Sequence, residues 1–252
     1  SDNGKPPVLT LENVSLVSTS EDVAIENRAA DGLEIRYAGT VTLSASLYGL
    51  WVKSSTRLIG KGEYALLTTN TSGCQEAGIA LERGSLEIRG HVKAYGARYG
   101  IHAMNVPEAR FSILQGGLLE APCHTVNPSG ESSAAVLPQR NDVTVLSPQG
   151  ATFRDGNGVA VDAEGKNLQG KTLVLKMTPK TYDLTIAGVP VTTDNQSDLT
   201  KIDGVSVTEG GSITFEEDPI RGYRLFLNNA TIAATGSAHA LATDHKLSIY
   251  LE

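Results

Sequence analysis

The residues with the clearest chemical potential are aromatic side chains in two short segments. Trp51 is the only tryptophan, Tyr48 lies just before it, and a later segment brings Tyr99 close to His102. Both segments alternate apolar and polar residues, which is typical of half-buried strands with one exposed face. Exposed aromatic rings can stack on sugar rings, so we predict a glycan-binding platform formed by Trp51, Tyr48, His102 and Tyr99. The alternative is that Trp51 is covered by a loop or fills a groove.

These side chains are expected to form one column across stacked strands. In each segment an apolar residue points inward and the next residue points outward. The predicted inward residues are Ile25, Leu50, Ile79, Ile101 and Val159. The outward column then consists of Glu26, Trp51, Ala80, His102 and Ala160.

A group of acids offers a different chemistry. Asp155, Asp162 and Glu164 follow Arg154 within twelve residues of the segment RDGNGVAVDAEG. A glycosidase needs two carboxyl groups about 5 to 10 Å apart, so a polysaccharide lyase or glycoside hydrolase is the alternative function. The Asp-Gly and Glu-Gly pairs are equally typical of turns. We therefore assign no catalytic residue. No metal-binding spacing or cofactor motif is found, and none of either is predicted.

The two cysteines, Cys74 and Cys123, lie in two insertions at the same place in the strand pattern, Thr68–Ala77 and Ala121–Ser133. Stacked strands put the roots of these insertions about 10 Å apart, whereas bridged cysteines need Cα atoms within about 7 Å. Flexible loops could close that gap. A Cys74–Cys123 disulfide and two free thiols both remain open, and a disulfide would indicate an oxidising, exported location.

Charges of alternating sign mark a second surface. Glu34 and Arg36 occupy the outward positions of one predicted strand, and Glu87 and Arg89 occupy the same positions of another. We expect a solvated face with salt bridges, which contribute little individually to stability.

The elements that must position these residues are short strands in a repeat. Residues 77–98 and 99–120 each contain three short alternating segments without a helix, and Leu86-x-Ile88 matches Phe111-x-Ile113. This pattern favours one coil of a β-solenoid per unit. Glycines recur where the chain must turn sharply: Gly39, Gly62, Gly90, Gly116 and Gly150. We predict an all-β fold, with a right-handed parallel β-helix of about six coils at residues 1–178.

The C-terminal third has a different pattern. Turn signals at Ala187-Gly188 and Asp203-Gly204 predict a small antiparallel β module at residues 179–224. The segment Leu9–Ile25 then aligns without a gap to Leu225–Leu241. After a gap of two residues, Leu33-Glu34-Ile35 aligns to Leu247-Ser248-Ile249. Residues 225–252 are therefore predicted to start a second β-helix unit or to cap the solenoid, as in a tandem-repeat protein.

Residues 180–232 resemble a module of bacterial exported surface proteins. The resemblance rests on Tyr182-Asp183-Leu184 and on the closing run from Leu225 through Asn228-Asn229-Ala230-Thr231-Ile232. In that family such a module leads into a parallel β-helix, and its members are often described as adhesin-like and carbohydrate-binding. The chain departs from the family pattern at residues 209–222, where a longer insert replaces a short turn. The resemblance implies an exported, surface-associated class of protein and identifies no catalytic residue.

Charge and hydropathy exclude several other functions. The net charge is −7 and the chain has no cluster of basic residues, so nucleic acid is not an expected partner. No apolar run is long enough for a membrane span, although a lipid anchor upstream would fit the polar start SDNGKPP. We expect a non-catalytic, structural or adhesin-like module that binds glycans or another surface protein. The expected location is extracellular, at the cell surface or outer membrane, with the periplasm as the alternative.

Overall fold

The computed structural model describes residues 5–19, 22–71, 77–105, 108–122, 133–137, 143–154, 158–218, 220–234 and 239–251. Strands account for 65% of the chain, which confirms the predicted all-β class. Within the described ranges, the helical element is a 3-10 turn at Leu199–Lys201. No helix in those ranges is long and apolar enough to cross a membrane.

The strands, in chain order, are β1 (Val8–Glu12), β2 (Ser15–Val17), β3 (Val23–Asn27), β4 (Leu33–Ala45), β5 (Tyr48–Val52), β6 (Thr56–Thr71), β7 (Ala77–Leu81), β8 (Gly84–Arg89), β9 (His91–Ala94), β10 (Tyr99–Ala103), β11 (Ala109–Ile113), β12 (Leu118–Pro122), β13 (Ser133–Val136), β14 (Val143–Ser147), β15 (Thr152–Phe153), β16 (Ala160–Val161), β17 (Thr172–Met177), β18 (Thr181–Ile186), β19 (Val189–Thr192), β20 (Val205–Asp218), β21 (Gly222–Ile232), β22 (Leu241–Ala242) and β23 (Leu247–Leu251). They form two compact units, residues 1–178 and 179–252.

The first unit is a parallel β-helix built from two stacks of strands. The first stack runs through β1, β4 and β6, then β8 with β9, then β11 with β12; the second runs through β3, β5, β7, β10 and β13. Successive strands pair in parallel and keep the same register from coil to coil. In the first stack, for example, Ile35 pairs with Leu58, which pairs with Ile88. The predicted fold class is confirmed, and the solenoid has about eight turns where about six were predicted.

The apolar core of the first unit lies between the two stacks. Ile35, Leu58 and Ile88 from the first stack and Leu50 and Ile79 from the second belong to one cluster and are fully buried. Burial of one such side chain contributes about 1.5 to 3 kcal/mol to stability. Because each coil repeats the same apolar column, each coil covers the core of the coil before it.

The corners need glycine for two different reasons: a left-handed backbone and close packing of two chain segments. Gly39 has a left-handed backbone with φ of 59°, and a Cβ there would lie 2.0 Å from the Asn13 side-chain oxygen. Gly78 is required for close approach instead, since a Cβ would lie 2.5 Å from the backbone oxygen of Tyr95. The other predicted corner glycines also have positive φ: Gly62, Gly90, Gly116 and Gly150.

The last strands of the first unit depart from the predicted coils. The sequence pattern places residues 143–175 in further parallel coils, but β17 runs antiparallel between β12 and β14. Leu175 pairs with Leu119 on one side and Val145 on the other. The spacing of apolar residues is the same in parallel and antiparallel strands, so the pattern does not encode direction. The reversed strands cover the edge that β12 would otherwise expose.

The second unit contains two antiparallel hairpins, as predicted for the small β module. β18 and β19 are joined at Ala187 and Gly188, whose φ values of 52° and 82° match a tight hairpin turn. β20 and β21 form a longer hairpin. The ring of Tyr182 from β18 packs with the rings of Phe215 and Tyr223 from this hairpin in the core of the second unit. The boundary predicted between residues 224 and 225 falls inside β21, because the pairing with β20 continues to Ile232.

The internal repeat has the same strand register at both ends of the chain. In the N-terminal repeat, Leu9 of β1 pairs in parallel with Ile35 of β4. In the C-terminal repeat, Leu225 of β21 pairs in parallel with Ile249 of β23. These four residues are the ones that the sequence alignment places together. The aligned segments therefore form the same pair of parallel strands in the same register.

Candidate functional site

The predicted platform lies on the outer surface of the second stack. Trp51 in β5 and His102 in β10 both pair with Ala80, which lies between them in β7. Glu26 precedes Trp51 in the stack, and Val136 follows His102. We call these five residues the outer column. The first four members occupy the positions that the sequence pattern predicts.

The fifth predicted member, Ala160, does not belong to the outer column. It pairs antiparallel with Phe153 in a separate two-stranded sheet and is fully buried. Val159, which was predicted to point inward, packs instead against the small cluster that contains Tyr48 and Tyr99, whereas Ala160 belongs to the main core. In β13, the strand next to β10, the inward residue is Ala135, which pairs with Ile101; an alanine gives a weak apolar signal, and the sequence pattern did not identify it.

The two platform tyrosines are packed rather than exposed. Tyr48 and Tyr99 are only 7% and 8% exposed and form a small cluster with Ala77, Ala80 and Val136. This cluster lies outside the main core, on the outer surface of the second stack. Neither tyrosine presents a free ring face to a ligand.

The indole of Trp51 is half-buried and already has a partner on its face. Lys53 Nζ lies 3.4 Å from the ring centroid, a cation–π contact worth about 0.5 to 2 kcal/mol. Lys53 is held by Glu26 at 2.7 Å and lies 3.9 Å from Glu82. Hydrogen bonds from Arg28 and then from Lys53 lower the pKa of Glu26. A sugar could stack on this face only by displacing an ion-paired lysine.

His102 is part of the same packed surface. Its ring stacks on Tyr99 with centroids 4.2 Å apart. Burial, and then the charge of Arg98, lowers the pKa of His102 to about 4. The imidazole is therefore neutral at pH 7. Its Nδ1 and the indole Nε1 of Trp51 are buried without a hydrogen-bond partner in the described part of the chain, which fits aromatic packing better than acid–base chemistry.

A different surface of the first unit contains an open groove. Three corners stack there, immediately before or at the start of β4, β6 and β8, with Leu33, Thr56 and Leu86 in register. They enclose a cavity of about 230 Å³, which we call the corner groove. Its polar side chains are Asp31, Ser55, Thr56, Arg57, Ser85 and Glu87.

One buried asparagine holds the corners of the groove. Asn27 is almost completely buried, and its side-chain nitrogen donates to Thr56 Oγ1 at 2.9 Å and to the carbonyl oxygens of Ser54 and Ser55. Its side-chain oxygen accepts from the backbone N–H of Ala29. Loss of such a group would leave buried polar atoms unpaired, at a cost of about 1 to 3 kcal/mol. Sequence reasoning missed Asn27, since a single asparagine at a strand end gives no distinctive signal.

Ion pairs run along the strand face beside the corner groove. Arg57 lies 2.8 Å from Glu87 and 3.6 Å from Glu34. Arg36 lies 2.5 Å from Glu34. These contacts confirm the predicted salt-bridged face. The sequence analysis did not predict that a cavity lies beside it. The signal for the groove was the small polar residue at each corner, such as Ser55 and Ser85, next to that face.

The acidic segment behaves as a turn. Asp162 accepts hydrogen bonds from the backbone N–H groups of Lys166 and Glu164 and lies 3.2 Å from Lys171. The hydrogen bond from Lys166 is the main reason that the pKa of Asp162 is lowered. Arg154 donates to the carbonyl oxygen of Gly165 in the same turn. Asp155 lies outside the described residues, so its place relative to Asp162 stays a prediction.

The predicted cysteine pair also lies outside the described residues, at Cys74 and Cys123. The disulfide therefore stays a prediction. Among the residues that are described, no group of three or more His, Cys, Asp or Glu side chains is placed to hold a metal ion.

Comparison of the chain with protein-family models, with curated proteins and with solved structures gave no significant match. The resemblance of residues 180–232 to exported surface proteins therefore stays a prediction. The site must be interpreted from its own geometry.

Proposed function

We propose that this protein is a non-catalytic, exported surface module with a structural or adhesin-like role, which contacts glycans at the corner groove. The observation that carries the proposal is the groove itself. It is an open cavity on a regular scaffold, next to a row of ion pairs. The outer column supports glycan binding less well, because two of its flanking tyrosines are buried and Trp51 is covered by Lys53.

The chemistry of the groove favours a neutral ligand rich in hydroxyl groups. The serine hydroxyls can both donate and accept hydrogen bonds, and the ion-paired Arg57 and Glu87 offer charge-assisted ones. Because these two opposite charges are paired, the groove does not require a charged ligand. A cavity of about 230 Å³ is smaller than the pockets of about 300 to 1,000 Å³ that hold drug-sized molecules. It suits a single sugar ring or a chain end.

The non-catalytic part of the proposal is supported by the roles of the candidate acids. Asp162 and Arg154 are engaged in one turn. A carboxyl group whose pKa is lowered stays ionised at neutral pH and is a poor general acid. The polysaccharide-degrading alternative gains no support from these contacts.

A glycan array tests the groove with matched variants. Arg57→Gln is expected to weaken glycan binding by about tenfold or more, since a hydrogen bond to a charged group is worth about 1.5 to 3 kcal/mol. Arg36→Gln is the control, because Arg36 pairs with Glu34 on the same face but does not line the groove. Trp51→Ala should leave binding unchanged. Circular dichroism of each variant checks that the fold is retained.

Two outcomes would contradict this assignment. If the wild-type protein binds no glycan, the adhesive role at the groove is wrong. If Trp51→Ala abolishes binding and Arg57→Gln does not, the site is the outer column instead.

For the exported location, intact-mass measurement without reductant distinguishes a Cys74–Cys123 disulfide from two thiols.

A further inference from the structure

The second unit contains a groove of its own, which we call the second groove. It lies between the turn that joins β20 to β21 and the corner that precedes β23, and it encloses a cavity of about 420 Å³. That volume falls in the range of pockets that hold small molecules, about 300 to 1,000 Å³. The side chains around it include Glu217, Asp218, Ile220, Arg221, His245 and Lys246.

The internal repeat places the second groove where the first unit has the corner groove. Since β23 aligns with β4 in the same register, the two residues before each strand also correspond. Asp31 then matches His245, and Gly32 matches Lys246. All four residues line their own groove. A cavity at this corner is therefore common to both repeats, but in the second unit an imidazole and an ammonium group replace an acid and a glycine.

The carboxylates of the second groove are engaged within the second unit. Lys180 forms a salt bridge with Glu217. Asp218 accepts hydrogen bonds from two backbone N–H groups of the turn that follows it, and it lies 3.3 Å from Arg224. Because both acids are paired, they do not require a cation from solution, and they repel an incoming anion less than unpaired carboxylates would.

The cations of the second groove have no such partners. Arg221 and Lys246 are exposed, and among the described residues neither side chain forms an ion pair or a hydrogen bond. A guanidinium group binds a carboxylate through two parallel N–H bonds, and an ammonium group adds a compact positive charge. These two side chains therefore favour a ligand that carries a carboxylate group.

The remaining walls of the second groove are aromatic and apolar. Tyr223 is buried, and its hydroxyl accepts from the backbone N–H of Asp183. The ring of His245 packs against that of Tyr223 with centroids 4.9 Å apart, and its Nε2 lies 3.7 Å from the Asp183 carboxylate. Ile220, which is 92% exposed, adds an apolar surface on the turn. A ligand that fits these walls has a partly apolar ring as well as its anionic group.

We propose that the second groove binds a saccharide that carries a carboxylate group. Arg221 and Lys246 hold the carboxylate, and Ile220 and His245 contact the sugar ring. This inference rests on the proposed function only in taking a saccharide as the ligand, because the residues of the second groove are different from those of the corner groove. The corner groove favours a neutral ligand, and the second groove adds recognition of an acidic one.

Two disaccharides that differ in one group test the proposal. Cellobiuronic acid carries a carboxylate where cellobiose carries a hydroxymethyl group. Backbone amide NMR shifts of the whole chain, followed during titration with each disaccharide, give both the affinity and the location of binding. The acid should bind tighter than cellobiose by about tenfold or more, with the largest shifts at residues 220–222 and 245–247. Its affinity should fall as the salt concentration rises.

Matched variants identify the group that binds the carboxylate. Arg221→Gln should weaken binding of cellobiuronic acid by about tenfold or more, and the fold should be retained because Arg221 is exposed. Lys201→Gln is the control, since Lys201 is an exposed cation of the same unit in the 3-10 turn and does not line the second groove. Equal affinity for the two disaccharides, or equal losses in the two variants, would overturn the proposal.

The same titration separates this proposal from the proposed function. If cellobiuronic acid shifts residues 55–57 and not residues 220–222, the acid binds at the corner groove, and only the second groove is wrong. If the acid does not bind but the array detects glycans that Arg57→Gln loses, the second groove is again wrong and the proposed function stands. Binding of the acid at residues 220–222 without any glycan hit at the corner groove would support the second groove alone.

Discussion

The two ends of the chain hold the same repeat in two different settings. Leu9 pairs with Ile35 in the N-terminal repeat, and Leu225 pairs with Ile249 in the C-terminal repeat. Ile35 is fully buried, whereas Ile249 is 48% exposed. The difference lies in what covers the strand that carries the isoleucine. In the sheet, β6 lies next to β4 on the side away from β1, whereas no described strand lies next to β23 on the side away from β21. The repeat therefore encodes a pairing register, and burial depends on the next layer of the stack.

The largest effect is expected from the same substitution at the two matched isoleucines. Ile35→Ala should lower the free energy of unfolding of the first unit by about 2 to 5 kcal/mol, because it opens a cavity in a closed core. Ile249→Ala should cost less than about 1 kcal/mol in the isolated molecule, because much of the side chain is already in water. Urea unfolding followed by hydrogen exchange, which resolves the two units, measures both values. Equal losses would contradict the role assigned to the covering layer.

Acid should weaken the first unit before the second. The pKa of His102 is lowered from 6.5 to about 4, so protons bind the unfolded state more tightly than the folded state. Above about pH 6.5 the ring is neutral in both states, and the first unit has its full free energy of unfolding. As the pH falls from 6.5 toward 4, that free energy decreases, and the whole pKa shift of His102 corresponds to roughly 3 kcal/mol.

The carboxylates with lowered pKa in the second unit respond in a lower pH range. A hydrogen bond from Thr200 lowers the pKa of Asp198, and one from the backbone N–H of Arg221 lowers the pKa of Asp218. Their contributions are present above the ordinary aspartate pKa and are lost below it. Hydrogen exchange at pH 7 and pH 5, corrected for intrinsic rates, should show selective loosening of residues 1–178. His102→Gln should remove that selectivity, and equal loosening of both units in the wild-type protein would contradict the prediction.

A smaller effect should be nearly equal in the two repeats. Asn13 and Asn229 are aligned and both have φ of 47°, a left-handed conformation that costs other non-glycine residues about 1 kcal/mol more. Replacement of either by alanine should lower the free energy of unfolding of its own unit by about 1 kcal/mol. Asn13→Ala should cost slightly more, since the Asn13 side chain also accepts from the backbone N–H of Thr40. Unfolding of both variants under the same conditions measures the difference, and a cost at only one position would show that the two asparagine positions are not equivalent.

Much of the fold could be predicted because it depends on local spacing. Apolar alternation identified the strands and the outer column from Glu26 to His102, and corner glycines identified the turns. The direction of the last strands could not be predicted, since Leu173-x-Leu175 looks the same in a parallel coil and in the reversed β17. The position of Ala135 was missed because alanine is a weak marker of an inward face.

The candidate site was less predictable than the fold. An exposed strand position does not reveal whether neighbouring side chains cover it, and Tyr48, Tyr99 and Lys53 do so around Trp51 and His102. The corner groove was not predicted, because its signal in the sequence is weak. Its walls come from three corners separated along the chain, and each corner carries only small or charged residues that are common in turns.

By itself the sequence determined the strand periodicity, the corner glycines and the repeat that joins residues 9–35 to residues 225–249, because all three depend on neighbouring residues along the chain. The tertiary structure alone decided which aromatic rings are covered, where a cavity opens and in which direction β17 runs. Those properties depend on which side chains meet across the coils, and strand spacing carries no information about that.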